Sequence, residues 1–175
     1  MQKNSVRPLA MGLIVLGALI RVTQALNFAP VGALSLFAGA RLRSWQAYAL
    51  PLALMAITDP LVGGYSANTP FVYGSFLIMV WIGSHLRRTE NPLWIGTGAV
   101  AGSLQFFLIT NFGAWLTSPH LYSRSVAGLV NCYIAGIPFY GRTLASDVFY
   151  AGVLFGLHAW LSRMVVRSER VAVTA

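Results

Sequence analysis

Asp59 and Asp147 are the residues of this 175-residue chain with the most chemistry to offer. Four carboxylates are present in all. These two lie inside or at the lip of apolar runs, LPLALMAITDPLVGG and TLASDVFYAGVLFG. The other two, Glu90 and Glu169, stand near arginines in connecting or terminal sequence. A carboxylate at membrane depth is costly, so it points to a functional site with a charge partner. Arg21, near the end of the first apolar run, is the matching cation. It can pair with Asp59 or Asp147, or snorkel outward along its own stem.

Each residue also has a local reading. Asp59 precedes Pro60, Gly63 and Gly64, and Asp-Pro with Gly-Gly is turn chemistry. Asp147 can sit in the first turn of the last helix and complement its dipole, with Thr143 as N-cap. Asn27, Asn111 and Asn131 read as ligand contacts, or as hydrogen-bonding residues between helices and in turns. Tyr133 adds a hydroxyl close by. Cys132, the single cysteine, has no second thiol or base beside it and reads as a small buried hydrophobe. The three histidines share no metal-ligand spacing, so no metal or cofactor is expected. There is no phosphate loop and no nucleophile–base set, which argues against an enzyme and against an ATP site.

The elements that must position these residues are membrane helices. The chain is 57% hydrophobic and 9% charged, with a mean hydropathy of +0.67. A soluble domain carries about 25% charged residues. One all-α polytopic membrane domain over residues 1–175 follows. The net charge of +8 lies in short clusters at segment ends, among them Arg41 with Arg43 and Arg87 with Arg88. That pattern sets topology rather than binding nucleic acid. Spans are expected at about 8–26, 45–62, 70–86, 92–116 and 144–165, with a short or re-entrant piece at 31–40. Prolines stand at several starts, and Pro51 should kink the third segment. Residues 117–142 are too broken for a clean span and read as an outer cap or lid holding a short helix at 126–137. The first run has a basic start like a signal peptide but is followed by further spans, so it reads as a retained helix.

Counting the short piece as a crossing puts every major arginine cluster on the cytoplasmic side, with six crossings and both termini inside. Arg124 and Arg142 fall outside, flanking the cap. Arg21, Asn27, Asp59, Asn111, Asn131, Tyr133 and Asp147 then share the outer half with many aromatic residues. Buried polarity must be hydrogen-bonded or wet, so a pocket opening outward is expected. Two GxxxG patterns, Gly98 with Gly102 and Gly152 with Gly156, allow close helix packing within the chain or against a partner subunit.

The stretches NFAPVGALSLFAGA, ITDPLVGGY, TNFGAWL and GLVNCYIAGIPFYGRTLASDVFYAGVLFG resemble a family of small bacterial membrane proteins described only as a domain of unknown function. That implies the bacterial inner membrane. Six helices with an outward polar site and a short second segment also look like the S components of energy-coupling-factor vitamin transporters. Those bind a vitamin-like ligand from outside and dock on an energising module. The paired alanines of their first helix are missing from PLAMGLIVLGALIRV, where Gly17 and Arg21 occupy one such spacing. The expected function is a transport component in the lipid bilayer. It would bind a small vitamin-like solute on the non-cytoplasmic side, with energy from a partner subunit or an ion gradient. The alternative is a structural or assembly subunit without its own ligand.

Overall fold

A computed structural model describes residues 6–23, 30–42 and 44–174. Asn27 and Arg43 lie outside them. The described residues are all-α: α1 Val6–Thr23, α2 Val31–Arg41, α3 Ser44–Val62, α4 Thr69–His85, α5 Pro92–Thr117 and α6 Val126–Thr174. Helices α1, α3, α4, α5 and α6 close a ring in that order, each touching its two neighbours. Helix α2 runs through the middle and touches all five.

The central place of α2 follows from its sequence, VGALSLFAGAR. Every residue from Val31 to Ala40 is buried. A helix apolar on all sides has no solvent face and belongs in a core. Small residues let its neighbours come close. A Cβ on Gly39 would stand 2.0 Å from the Val80 carbonyl oxygen, and one on Gly83 of α4 would stand 2.0 Å from that of Leu36. Phe37, fully buried, packs edge-on against Phe155 and His158 of α6. Ser35 and Ser75 are buried without cost in unmet hydrogen bonds, because each hydroxyl donates back to its own helix, to Val31 O and Phe71 O.

Hydrogen bonds identify the two ends of the bundle. At one end, Arg41 reaches Leu86 O and Thr89 O, the Arg87 Nε donates to Gly39 O, and Arg163 approaches Glu90. At the other, Arg21 meets α3, and the Asn68 amide at the start of α4 donates to Thr110 O near the end of α5. Asn91 caps α5 by accepting from Leu93 N at 2.9 Å, with Pro92 following it. Helix α3 runs through Pro51 and Pro60 and ends where Gly64 takes φ +79°, the left-handed conformation that glycine adopts at a helix C-terminus.

Helix α6 corrects the expected outer cap. Residues 126–142 do not form a separate lid; they are the first part of one 49-residue helix that passes through Pro138. Only 118–125 connect α5 to α6. Gly136, Pro138 and Gly141 are weak helix formers, but both sides of the proline pack on α5, through Tyr133 and Asp147, and the helix continues. Among the described residues, two helices are long and apolar enough to cross a membrane, Pro92–Thr117 and Val126–Val165.

Candidate functional site

The two carboxylates occupy separate hydrogen-bond sets. Asp59 stands in the last turn of α3, 8% exposed. Its Oδ1 takes a hydrogen bond from Arg21 Nη2 at 2.5 Å, and its Oδ2 takes one from the Tyr73 hydroxyl at 2.5 Å. Arg21 Nη1 also donates to the Thr58 hydroxyl, which in turn donates to Leu54 O at 2.8 Å. One carboxylate thus ties α1, α3 and α4 together. Of the alternatives for Arg21, pairing with Asp59 is the one realised. The turn at Gly63 and Gly64 uses the Asp59 backbone carbonyl, which leaves the side chain free for the pair.

Asp147 is 2% exposed and lies mid-helix in α6. It is neither in a first turn nor capped by Thr143, whose hydroxyl donates back to Phe139 O at 3.1 Å. Its Oδ1 accepts from the Ala33 backbone N–H at 3.1 Å, and its Oδ2 from the Ser103 hydroxyl at 2.6 Å. Pro30 precedes α2 and offers no side-chain cap. Asp147 performs the capping from 114 residues away, satisfying an orphan N–H at the positive end of the α2 dipole. Gly32 makes room: a Cβ there would lie 2.2 Å from Asp147 Oδ1. Among the described residues no cation pairs with Asp147. Ser103 is the twelfth of the 26 residues of α5, so this contact lies at half the height of the bundle.

A cavity of about 120 Å³ opens between α5 and α6 on the side of Asp147 away from the arginine end. Thr143 precedes Asp147 by one helical turn, and Thr110 follows Ser103 by two. Both line it, with Asn111, Tyr140, Phe106 and Gly136. The Asn111 amide nitrogen donates to Phe107 O at 2.8 Å, and its other end faces Gly136. Two further acceptors in this half, Asn68 Oδ1 and Gln105 Oε1, are buried without a donor.

The remaining expected site residues part company. Tyr133 donates to Leu108 O at 2.8 Å and packs on Phe107, joining α6 to α5. Asn131 is exposed on α6. Cys132 is buried, its thiol donating to Asn111 O at 3.3 Å. Burial, then that thiol, push the nearby Tyr122 hydroxyl above its ordinary pKa. Ser103 and the Ala33 N–H were missed in the sequence. Ser103 and Gln105, two polar residues inside the long apolar run of α5, were the available signal.

A family model described as a family of unknown function, DUF6580, matches residues 2–170. No curated protein and no solved structure matches the chain. None of the comparisons supports the expected likeness to vitamin-transporter S components.

Proposed function

The chain belongs to the DUF6580 family, and we propose for it the role of a membrane-embedded transport component that binds a small polar solute on the non-cytoplasmic side. The distribution of side chains supports the membrane. Leu16, Leu61, Trp81, Val100 and Phe149 are exposed, one from each ring helix, while Ser35, Ser75, Ser103, Ser146 and Asp147 are buried. Water would not favour that arrangement; hydrocarbon does. Helices α1, α3 and α4 have 17 to 19 residues, about 25–29 Å of helix, close to the ~30 Å hydrocarbon core. Four of the five tryptophans, Trp45, Trp81, Trp94 and Trp160, are exposed towards the arginine end. Aromatic belts mark either membrane interface, and the arginines beside this one favour the cytoplasmic side. Five full crossings and the half-length α2 then return both chain ends to that side.

One observation carries the solute site: a buried carboxylate at mid-depth, at the start of a half-length helix, with a polar cavity that begins one helical turn outward of it at Thr143. Interrupted helices mark binding sites in transporters because their ends offer unpaired backbone groups. Here the helix end is already capped by Asp147. Each carboxylate oxygen holds one donor and retains a lone pair, so the site favours a hydrogen-bond donor or a small cation. A cavity of about 120 Å³ is well below the roughly 300–1,000 Å³ of drug-sized sites, which favours a solute smaller than a vitamin. Arg21, Asp59 and Tyr73 act as a clasp on the outer side. The second reading, a structural subunit, draws on the fact that both carboxylates have partners within the fold.

The test uses the protein in phosphatidylcholine nanodiscs, titrated with monovalent cations, small amines and amino acids while melting is followed. At least one solute raises the wild-type melting temperature, and Asp147→Asn abolishes that rise while Asp59→Asn retains it. Identical responses of wild type and Asp147→Asn to every solute would sink the proposal and leave the structural reading.

A further inference from the structure

The two GxxxG patterns behave differently. Gly98 and Gly102 serve the fold, since a Cβ on them would meet Leu86 and Met79. A Cβ on Gly152 or Gly156 meets nothing within 4 Å, and the same is true of Gly96 on α5. These three glycines weaken their helices without bringing any element of this chain closer. They line a cavity of about 350 Å³ between α5 and α6. Ile95, Ala151 and Phe155 form its buried floor, while Val148, Gly152 and Gly156 are exposed along its outer edge.

One end of this groove is charged. Arg41 borders it, half-buried, with its guanidinium 4.9 Å from the centre of the Phe155 ring. Its protein hydrogen bonds go to backbone carbonyls, at 3.2 to 3.4 Å, and no carboxylate pairs with it among the described residues. Glu90 also borders the groove but leans towards Arg163, 3.9 Å away. Arg41, Arg87, Arg88 and Arg163 outnumber that one carboxylate at this end of the bundle. From Val148 to Ala159 the groove follows α6 for about 16 Å. That is half the ~30 Å hydrocarbon thickness, the depth of a single leaflet. Val148 lies at mid-depth beside Asp147, and Ala159 lies near the arginine end.

We infer that the α5–α6 groove is a binding site for an anionic phospholipid of the arginine-side leaflet, with one acyl chain along Gly152 and Gly156 and the headgroup phosphate at Arg41. The glycines keep the channel open for a chain, and Arg41, within electrostatic reach of Glu90 but in no salt bridge among the described residues, supplies positive charge for the head. The inference rests on the membrane reading above but not on the solute site.

The experiment separates the two. Recovery of the protein in the membrane fraction checks the membrane reading first. Detergent-solubilised protein is then titrated with phosphatidylglycerol or phosphatidylcholine, and bound lipid is counted by native mass spectrometry. One phosphatidylglycerol is retained in preference to phosphatidylcholine. Arg41→Gln weakens it about fivefold, the loss of one cation's pull on an anionic headgroup. Gly152→Leu fills the groove and removes the bound lipid of either kind. That variant enters open space, so its folding is spared, which far-UV circular dichroism verifies. Equal retention of lipid by Gly152→Leu overturns the site. Displacement of the lipid by inorganic phosphate alone would show an anion site without a chain, and a dimer that Gly152→Leu dissociates would show a helix in the groove; either result overturns the proposal.

Discussion

Asp59 and Asp147 began as two similar anomalies, and their partners make them different. Asp59 neutralises a cation. Removing either member of a buried ion pair leaves the other uncompensated, at a cost of about 3–5 kcal/mol. The Arg21–Asp59 side chains are 14% and 10% exposed, which places the expected loss near the lower end, about 3 kcal/mol for Asp59→Ala. Arg21→Met with Asp59→Leu should recover part of that loss, measured by chemical denaturation of the single and double variants in detergent. Asp147 neutralises no side chain among the described residues; it satisfies a backbone N–H and a hydroxyl. Asp147→Ala therefore costs about 2–3 kcal/mol through an unpaired Ala33 N–H and a small void. Gly32→Ala, which drives a methyl group into the same carboxylate, costs about 1–3 kcal/mol. Unaltered melting of Gly32→Ala would show that the α2 start does not press on Asp147.

Helix α2 turns a stripe of small residues into the axis of the bundle. Its contact with α4 depends on Gly39 and Gly83, where carbonyl oxygens approach within van der Waals distance of a missing Cβ. Gly39→Ala should therefore destabilise by about 2 kcal/mol or more, because backbone has to move. Gly152→Ala lies on an open face and should stabilise by up to about 1 kcal/mol through helix propensity when no lipid is bound. The contrast, read from melting of the two variants in the same detergent, checks that one glycine serves the fold and the other does not. At the same scale, α6 shows why a proline is weak evidence for a boundary. Pro138 removes one backbone donor, yet α6 continues because α5 holds both halves, through Tyr133 on one side and Asp147 on the other.

As a whole, the molecule has an apolar core holding a few buried polar groups, and large apolar side chains on its outer faces as well. The tryptophans and arginines at one end give that arrangement a direction. In a Cys132→Ser background, a membrane-impermeant maleimide applied to intact cells should label His120→Cys in the 118–125 loop and leave Arg88→Cys unlabelled until the membrane is permeabilised. Labelling of both from outside would contradict the proposed orientation. The long α6 carries the same implication: 49 residues span about 74 Å, more than twice the hydrocarbon thickness, so part of it extends past the arginine end.

The sequence alone determined the all-α class, the positions of α3, α4 and α5, and the short length of α2. Those depend on local apolar runs, prolines and glycines, whose effects are exerted within a few residues. It also identified Arg21, Asp59 and Asp147 as the unusual charges, because ionisable groups are rare in apolar runs. It did not decide which of them pair, since Arg21 had two candidate carboxylates and only the packing of α1 against α3 selects one. It placed Asp147 near a helix start when it belongs to the middle of α6. The capping of α2 by Asp147 was out of reach, for the donor is a backbone N–H that no residue type announces. Asn131, grouped with Asn27 and Asn111 because it falls in the outer half, faces outward because a helix phase fixed by buried Cys132 and Gly136 turns it away. The tertiary structure alone decided the central place of α2, the separation of the two carboxylates, and the difference between glycines that touch the fold and glycines that touch nothing. Each of these depends on contacts between elements far apart in the chain, where local pattern carries no information.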